Sequence, residues 1–242
     1  NLGSALAKSG KKVLLIDSDP QANLTSYLGV TPGQGQHAEL RTLDELYLSK
    51  RVMDAAGWAL FITPTSAGVD LIPSDSALSG IEYYLFARPD KERVLDRIVE
   101  PLRARYDYIL VDTPPSLGLL TLNALCAADG VLVPVQPEFF GLEGIVKIRT
   151  AVEDVRTRWN PRLRIVGVLP TQVSLRRKLT SEVLQALRSE MGADIFESVI
   201  HDSSSVTEST GHAQSVLDYD RSSRGSQDYQ AAARELERRL SV

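Results

Sequence analysis

Cysteine is nearly absent. Cys126 is the only one in 242 residues, which excludes an intramolecular disulfide and leaves no thiolate set for a zinc or iron–sulfur site. Histidine is scarce. His37, His201 and His212 lie far apart in sequence, none has a partner at metal-ligand spacing, and all three read as surface or packing residues. Trp58 and Trp159 are the two tryptophans, and both read as packing residues rather than base-stacking platforms. No apolar run reaches the about 18 residues of a membrane-spanning helix, and the first residues do not read as a secretory signal. A reducing cytoplasm is the expected compartment. Strong net charge is missing as well: the chain carries −4, so the molecule as a whole is no obvious binder of polyanions. One absence is more specific than the rest. No G-x-x-x-x-G-K-[ST] phosphate loop occurs in these residues.

Against these gaps stand two apolar runs that end in carboxylates. Val13-Leu14-Leu15-Ile16 runs into Asp17-Ser18-Asp19-Pro20-Gln21, and Tyr108-Ile109-Leu110-Val111 into Asp112-Thr113-Pro114-Pro115-Ser116. In open α/β sheets ligands bind beyond the carboxyl ends of parallel strands, so the two acidic ends predict a site for Mg²⁺ and phosphate.

The remaining pattern alternates helices with buried strands. A helix reaches Ser9 and stops at Gly10, and a strand spans Lys12 to Ile16. A short helix lies between Asp19 and Gly29, and Thr42-Leu43-Asp44-Glu45 has capping-box spacing. Leu60–Thr63 and Val69–Ile72 are strand candidates. Leu78–Phe86 and Asp90–Arg105 read as helices, the second with Asp90 as N-cap. After the strand Tyr108–Val111 come a helix Leu117–Ala127, a strand Gly130–Val135, a helix Leu142–Trp159 and a strand Arg164–Leu169. A helix Leu179–Met191 closed by Gly192, a last strand Ile195–Ile200 and an amphipathic helix Ser226–Leu240 complete the chain. Continuous apolar strands between helices imply a doubly wound, mostly parallel α/β sheet with helices on both faces. The length fits one domain over residues 1–242.

Charge is uneven along the chain. Between Lys147 and Arg188 the cations far outnumber the acids, which are Glu153, Asp154 and Glu182. A local basic face on an acidic protein is therefore expected. At the other end, Asn1-Leu2-Gly3-Ser4-Ala5-Leu6 reads as a helix already under way, without an initiator Met.

The segment Gly10-Lys11-Lys12-Val13-Leu14-Leu15-Ile16-Asp17-Ser18-Asp19-Pro20-Gln21-Ala22-Asn23 resembles the stretch just after the phosphate loop of ParA-type ATPases, the deviant Walker-A group that also contains MinD. The resemblance continues through Val111-Asp112-Thr113-Pro114-Pro115-Ser116 and Leu119-Leu120-Thr121-Leu122-Asn123-Ala124-Leu125. It extends to Val133-Pro134-Val135-Gln136-Pro137-Glu138 and Gly141-Leu142-Glu143-Gly144, with a weaker echo in Asp220-Arg221-Ser222-Ser223-Arg224-Gly225. It spans nearly the whole chain, and the joint occurrence in this order is its specificity.

The resemblance implies ATP and Mg²⁺ as cofactors. It makes Asp112 the Walker-B carboxylate that holds Mg²⁺ through water, and Asp19 the group that orients the attacking water or accepts its proton. Asp17 would support the phosphate loop or the metal's waters, with a hydrogen-bonded turn acid as the alternative. Gln136, Pro137 and Glu138 become candidates to face the nucleotide or a dimer partner. The family's K-G-G-x-G-K-[ST] loop would lie ahead of Asn1, so the expectation is a chain that lacks its first strand and phosphate loop and does not hydrolyse ATP by itself.

The resemblance further implies a homodimer with ATP, non-specific DNA binding by Arg176, Arg177 and Lys178, a ParB-type centromere-binding partner and a nucleoid-associated, cytoplasmic location. The family's P-R-N-x-R segment is His201-Asp202-Ser203-Ser204-Ser205 here, which shifts the expected DNA surface towards Arg221 and Arg224. Two alternatives share the fold. A MinD-like membrane-cycling ATPase needs a membrane-seeking terminal helix, and Glu235 and Glu237 speak against one. The other is a catalytically inactive interaction module.

Overall fold

Val13-Leu14-Leu15-Ile16 is apolar at every position, so a strand built from it needs cover on both faces. The computed structural model describes residues 1–49, 53–137, 141–174 and 178–241. In chain order it begins with α1 (Leu2–Lys8), β1 (Val13–Asp17), α2 (Asn23–Tyr27), α3 (Leu43–Leu48), α4 (Ala55–Ala59), β2 (Thr63–Pro64) and β3 (Asp70–Ile72). Then come α5 (Ile81–Phe86), α6 (Val94–Val99), β4 (Tyr108–Asp112), α7 (Leu119–Ala127), β5 (Gly130–Val135) and α8 (Gly141–Arg158). The last elements are β6 (Arg164–Pro170), α9 (Lys178–Met191), α10 (Ser204–Gly211), α11 (Val216–Tyr219) and α12 (Arg224–Leu240).

β1 lies inside a sheet of order β2-β3-β1-β4. β3 and β4 run parallel to it, and β2 joins β3 antiparallel. Side chains alternate across the sheet. Leu14 and Ile16 enter a cluster with Leu43, Leu46, Leu85, Leu95 and Leu119, contributed by α3, α5, α6 and α7. Val13 and Leu15 enter the opposite cluster with Leu6 of α1, Val216 and Leu217 of α11, and Ala232, Ala233 and Leu236 of α12. Each fully buried Leu or Ile contributes roughly 1.5–3 kcal/mol, so β1 anchors both layers.

β5 and β6 form a parallel pair, covered by Ile145 of α8 and Leu184, Leu187 and Met191 of α9. Among the described residues no ladder joins β4 to β5. Gly167 of β6 has a steric reason: a Cβ there would lie 2.6 Å from the Phe196 ring.

The α/β class and the helices on both faces agree with the sequence pattern, and Gly10 ends the first helix at φ 91°. Five expectations are corrected. The strand expected at Leu60–Thr63 forms only at Thr63–Pro64, and Leu60 and Phe61 lie in a turn after α4. Thr42 precedes α3 but makes no cap hydrogen bond; its hydroxyl donates to the Asp44 carboxylate instead. Asp90–Arg105 is not one helix but a 3₁₀ turn, α6 and a second 3₁₀ turn, and the Asp90 carboxylate pairs with Arg88 and Arg97 rather than capping. Residues 76–80 are a 3₁₀ turn ahead of α5. Ile195–Ile200 is no regular strand: only the parallel bridges Val168–Ile195 and Val173–His201 form. No helix of the described residues is long and apolar enough to cross a membrane.

Candidate functional site

Parallel pairing places two acids side by side. Asp17 ends β1, Asp112 ends β4, and the two are partners in register. The Ser18 N–H donates to the Asp112 carbonyl at 2.8 Å, so the backbones stay joined one residue beyond the strand.

The three acids of the site have different surroundings. Asp17 is fully buried. Its Oδ2 accepts the Thr25 N–H at 2.8 Å and the Thr25 hydroxyl at 2.6 Å, and its Oδ1 accepts the Asp19 N–H at 3.2 Å. Burial raises its pKa, and the Thr25 and Asp19 donors oppose that shift. Its lone pairs are engaged internally, so its geometry is that of a turn acid. Asp19 is half-buried, and its Oδ1 accepts the Gln21 N–H at 2.9 Å. The chain then turns through Ala22 at φ 53° into α2. Asp112 reaches solvent on its outer side. Loss of hydration at the strand end, then the charges of Asp17 and Asp19, push its pKa up to about 6.

The loop after Asp112 is held at its far end. Glu82 Oε1 accepts the N–H groups of Leu119 and Leu120 at 2.8 and 3.2 Å, and the Thr121 hydroxyl donates to the Ser116 carbonyl at 2.6 Å. A carboxylate at a helix N-terminus satisfies otherwise unpaired N–H groups and complements the helix dipole. Beside Asp19 opens a cleft of about 580 Å³, lined by Gln21, Thr25, Ser26, Thr31, Ser74 and Asp75 among others.

The donor set suits one kind of metal. Among the described residues no group of three or more His, Cys, Asp or Glu side chains gathers as a cage. Mg²⁺ keeps several of its waters and takes one or two carboxylates, which Asp112 with Asp19 nearby can supply.

Gln136 is exposed and Pro137 buried just after β5, and no hydrogen bond among the described residues joins them to the three acids. Glu138, Arg176 and Arg177 lie outside the described residues; Lys178 opens α9. Arg221 is exposed in a groove of about 510 Å³ with Lys8 and Arg234. Arg224 donates to His201 Nε2 at 2.7 Å, while His201 Nδ1 meets Asp228 Oδ2 at 2.8 Å. His201 is thus held in a charged cluster, which its isolation in the sequence did not suggest. Sequence reasoning also missed Thr25 and Ser74, whose contacts to the acidic turn depend on α2 meeting the segment after β3. A threonine eight residues after Asp17 and a serine just after Pro73 were the signals available.

Comparison with known proteins gives a consistent neighbourhood. A family profile described as an AAA domain matches residues 1–165. The chain is 40% identical over 239 residues to the chromosome partitioning protein ParA of Caulobacter vibrioides, covering 98% of this chain and 86% of that protein. It is 36% identical over 236 residues to the sporulation initiation inhibitor protein Soj of Bacillus subtilis, covering 98% and 90%. Among solved structures it is similar to cobyrinic acid a,c-diamide synthase from Mycobacterium smegmatis with bound ADP and magnesium. That match has a TM-score of 0.79 at 31% identity, over 99% of this chain and 87% of that one.

Proposed function

The chain belongs to the ParA-type partition ATPases of the ParA/MinD superfamily, and on that footing we propose that it acts in ATP-driven segregation of DNA. In this reading the protein dimerises with ATP, the dimer binds DNA without sequence preference, and a ParB-type partner stimulates hydrolysis. The observation that carries the proposal is the register pairing of Asp17 with Asp112 and the placing of Asp19 one turn beyond it.

Each acid then has a separate task. Asp112 would hold Mg²⁺ through water, and Mg²⁺ when bound supplies charge neutralisation for the phosphates. Asp19 orients the attacking water, a positioning role that suits phosphoryl transfer. Asp17 holds the turn that carries Asp19. The phosphates also need cations and N–H donors, which these three acids do not offer. Non-specific DNA binding needs cations facing phosphates, and the proposal assigns these to Arg176, Arg177 and Lys178, with Arg221 and Arg224 as the second surface. A membrane-cycling role is disfavoured because α12 spends its apolar face on the core through Ala232, Ala233 and Leu236.

The test uses a protein with a K-G-G-x-G-K-T loop and its strand joined ahead of Asn1. Asp19→Ala should keep ATP binding and lose hydrolysis by at least about 100-fold, on the scale of a lost catalytic positioning group. Hydrolysis that persists in Asp19→Ala would overturn the assignment.

A further inference from the structure

Asp19 is held by its main chain on both sides. Its N–H donates to Asp17 Oδ1 at 3.2 Å. Its carbonyl accepts the Ser74 hydroxyl at 2.9 Å. The two holds are linked through one side chain: Thr25 Oγ1 accepts the Ser74 N–H at 3.0 Å and donates its own proton to Asp17 Oδ2 at 2.6 Å. The hydrogen bonds close a ring from Asp19 through Asp17, Thr25 and Ser74 back to Asp19. Ser74, Thr25 and Asp17 are all buried, so solvent does not readily replace the inner bonds, Ser74 N–H to Thr25 and Thr25 hydroxyl to Asp17, when one is lost. Ser74 follows β3, Asp17 ends β1, and Thr25 lies in α2. Three separate pieces of chain therefore fix one residue.

We propose that Thr25 and Ser74 are positioning residues for Asp19, through a closed hydrogen-bond ring that sets where its carboxylate stands. The inference rests on the role given to Asp19 above. Thr25 is the keystone because its hydroxyl is the ring's one group that both donates and accepts between the two holds. Without it, the Ser74 N–H loses its acceptor and Asp17 loses one of its donors. The Asp19 turn is then held by single contacts, and a displacement of about 1 Å at a reacting group costs up to about 100-fold in rate.

The first test uses the chain itself. Thr25→Val removes the hydroxyl at nearly constant size, and Thr25→Ser keeps it. Amide hydrogen exchange at Ser74 and Asp19 should speed up by about 10-fold or more in Thr25→Val and return to the parent rate in Thr25→Ser. Exchange at Leu15 and Leu110, in the sheet core, should be unchanged in both. Acceleration everywhere would mark a merely structural role and overturn the proposal, as would an unmoved Asp19 amide. The second test uses the loop-joined protein. Thr25→Val should lower kcat about 10- to 100-fold with KM for ATP within about 2-fold, and Ser74→Ala should fall in the same direction. A parent kcat in Thr25→Val, where Asp19→Ala is inactive, would sink the positioning role. An active Asp19→Ala would sink the function reading instead.

Discussion

Glu235 offers the sharpest stability experiment. It is 3% exposed on α12, and its carboxylate collects three partners. The Glu197 N–H donates to Oε1 at 2.9 Å, the Ser198 N–H to Oε2 at 2.8 Å, and Arg239 bonds Oε1 through Nε at 3.0 Å. Arg239 also donates to the carbonyls of Val166, Ala193 and Ile195 and stacks 4.4 Å from the Phe196 ring centroid. The pair therefore fastens α12 to β6 and to the segment beyond α9. Glu235→Gln keeps the size but leaves one carbonyl where two carboxylate oxygens accepted. One buried N–H then faces an amide NH₂, at a cost of about 1–3 kcal/mol. Arg239 loses its counter-charge, and breaking a buried pair costs about 3–5 kcal/mol in all. Because Arg239 keeps its carbonyl partners, the lower end applies, about 3 kcal/mol.

For a chain of this length about 3 kcal/mol lowers Tm by roughly 6–12 °C. Burial pushes the Glu235 pKa up, but the Ser198, Glu197 and Arg239 donors outweigh it and hold the carboxyl below its ordinary value. A depressed carboxylate contributes stability above its unfolded pKa of about 4.3 and loses it as pH falls through the lower folded value. The gap between parent and variant should thus be full at pH 7 and close in acid below about pH 4. Urea unfolding followed by circular dichroism, repeated along a pH series, measures it. A loss under about 1 kcal/mol at pH 7, or a gap that does not shrink in acid, would refute the reasoning.

Asp112 carries the opposite sign: its folded pKa of about 6 lies above the unfolded value, so its ionisation opposes folding as pH rises from about 4 to 7. Asp112→Asn should raise Tm at pH 7, lose that advantage below about pH 4, and weaken Mg²⁺-dependent ATP binding in the loop-joined protein; a lower Tm at pH 7 would contradict this. Gly167→Ala should destabilise by about 1–3 kcal/mol through overpacking against the Phe196 ring and the Asp194 carbonyl, and a neutral outcome in thermal unfolding would contradict this. Replacing Arg176, Arg177 and Lys178 together by Ala should flatten the salt dependence of DNA binding by the ATP-bound, loop-joined protein by up to about 0.9 per lost phosphate contact. An unchanged slope would move the DNA surface to Arg221 and Arg224.

β1 and β4 were legible because they are apolar at consecutive positions and end in Asp. That pattern fits a strand buried on both faces and few alternatives. In the broken helix at residues 90–105 the apolar period is helical throughout, Pro101 was the one signal of the break, and only Asp90's pairing with Arg88 and Arg97 reveals that it does not cap. The segment 195–200 has strand-like composition, yet its N–H groups at 197 and 198 go to Glu235 instead of a ladder. Asp17, Asp19 and Asp112 could be named from their strand ends. The difference in burial between Asp17 and Asp112 could not, because it depends on Thr25, which the fold brings from the next helix. The His201–Asp228–Arg224 cluster was equally hidden, as its members lie up to 27 positions apart.

The unjoined flanks of β4 and β5 bear on how the 242-residue polypeptide behaves in a tube. Among the described residues β4 pairs with β1 alone, and its Ile109, Leu110 and Val111 are half-buried, whereas every residue of β1 is covered. A flank of free N–H and C=O groups beside apolar side chains is a template for strands of other molecules. Dilution, or a short peptide that occupies the β4 flank, should keep this polypeptide monodisperse where a change of ionic strength does not.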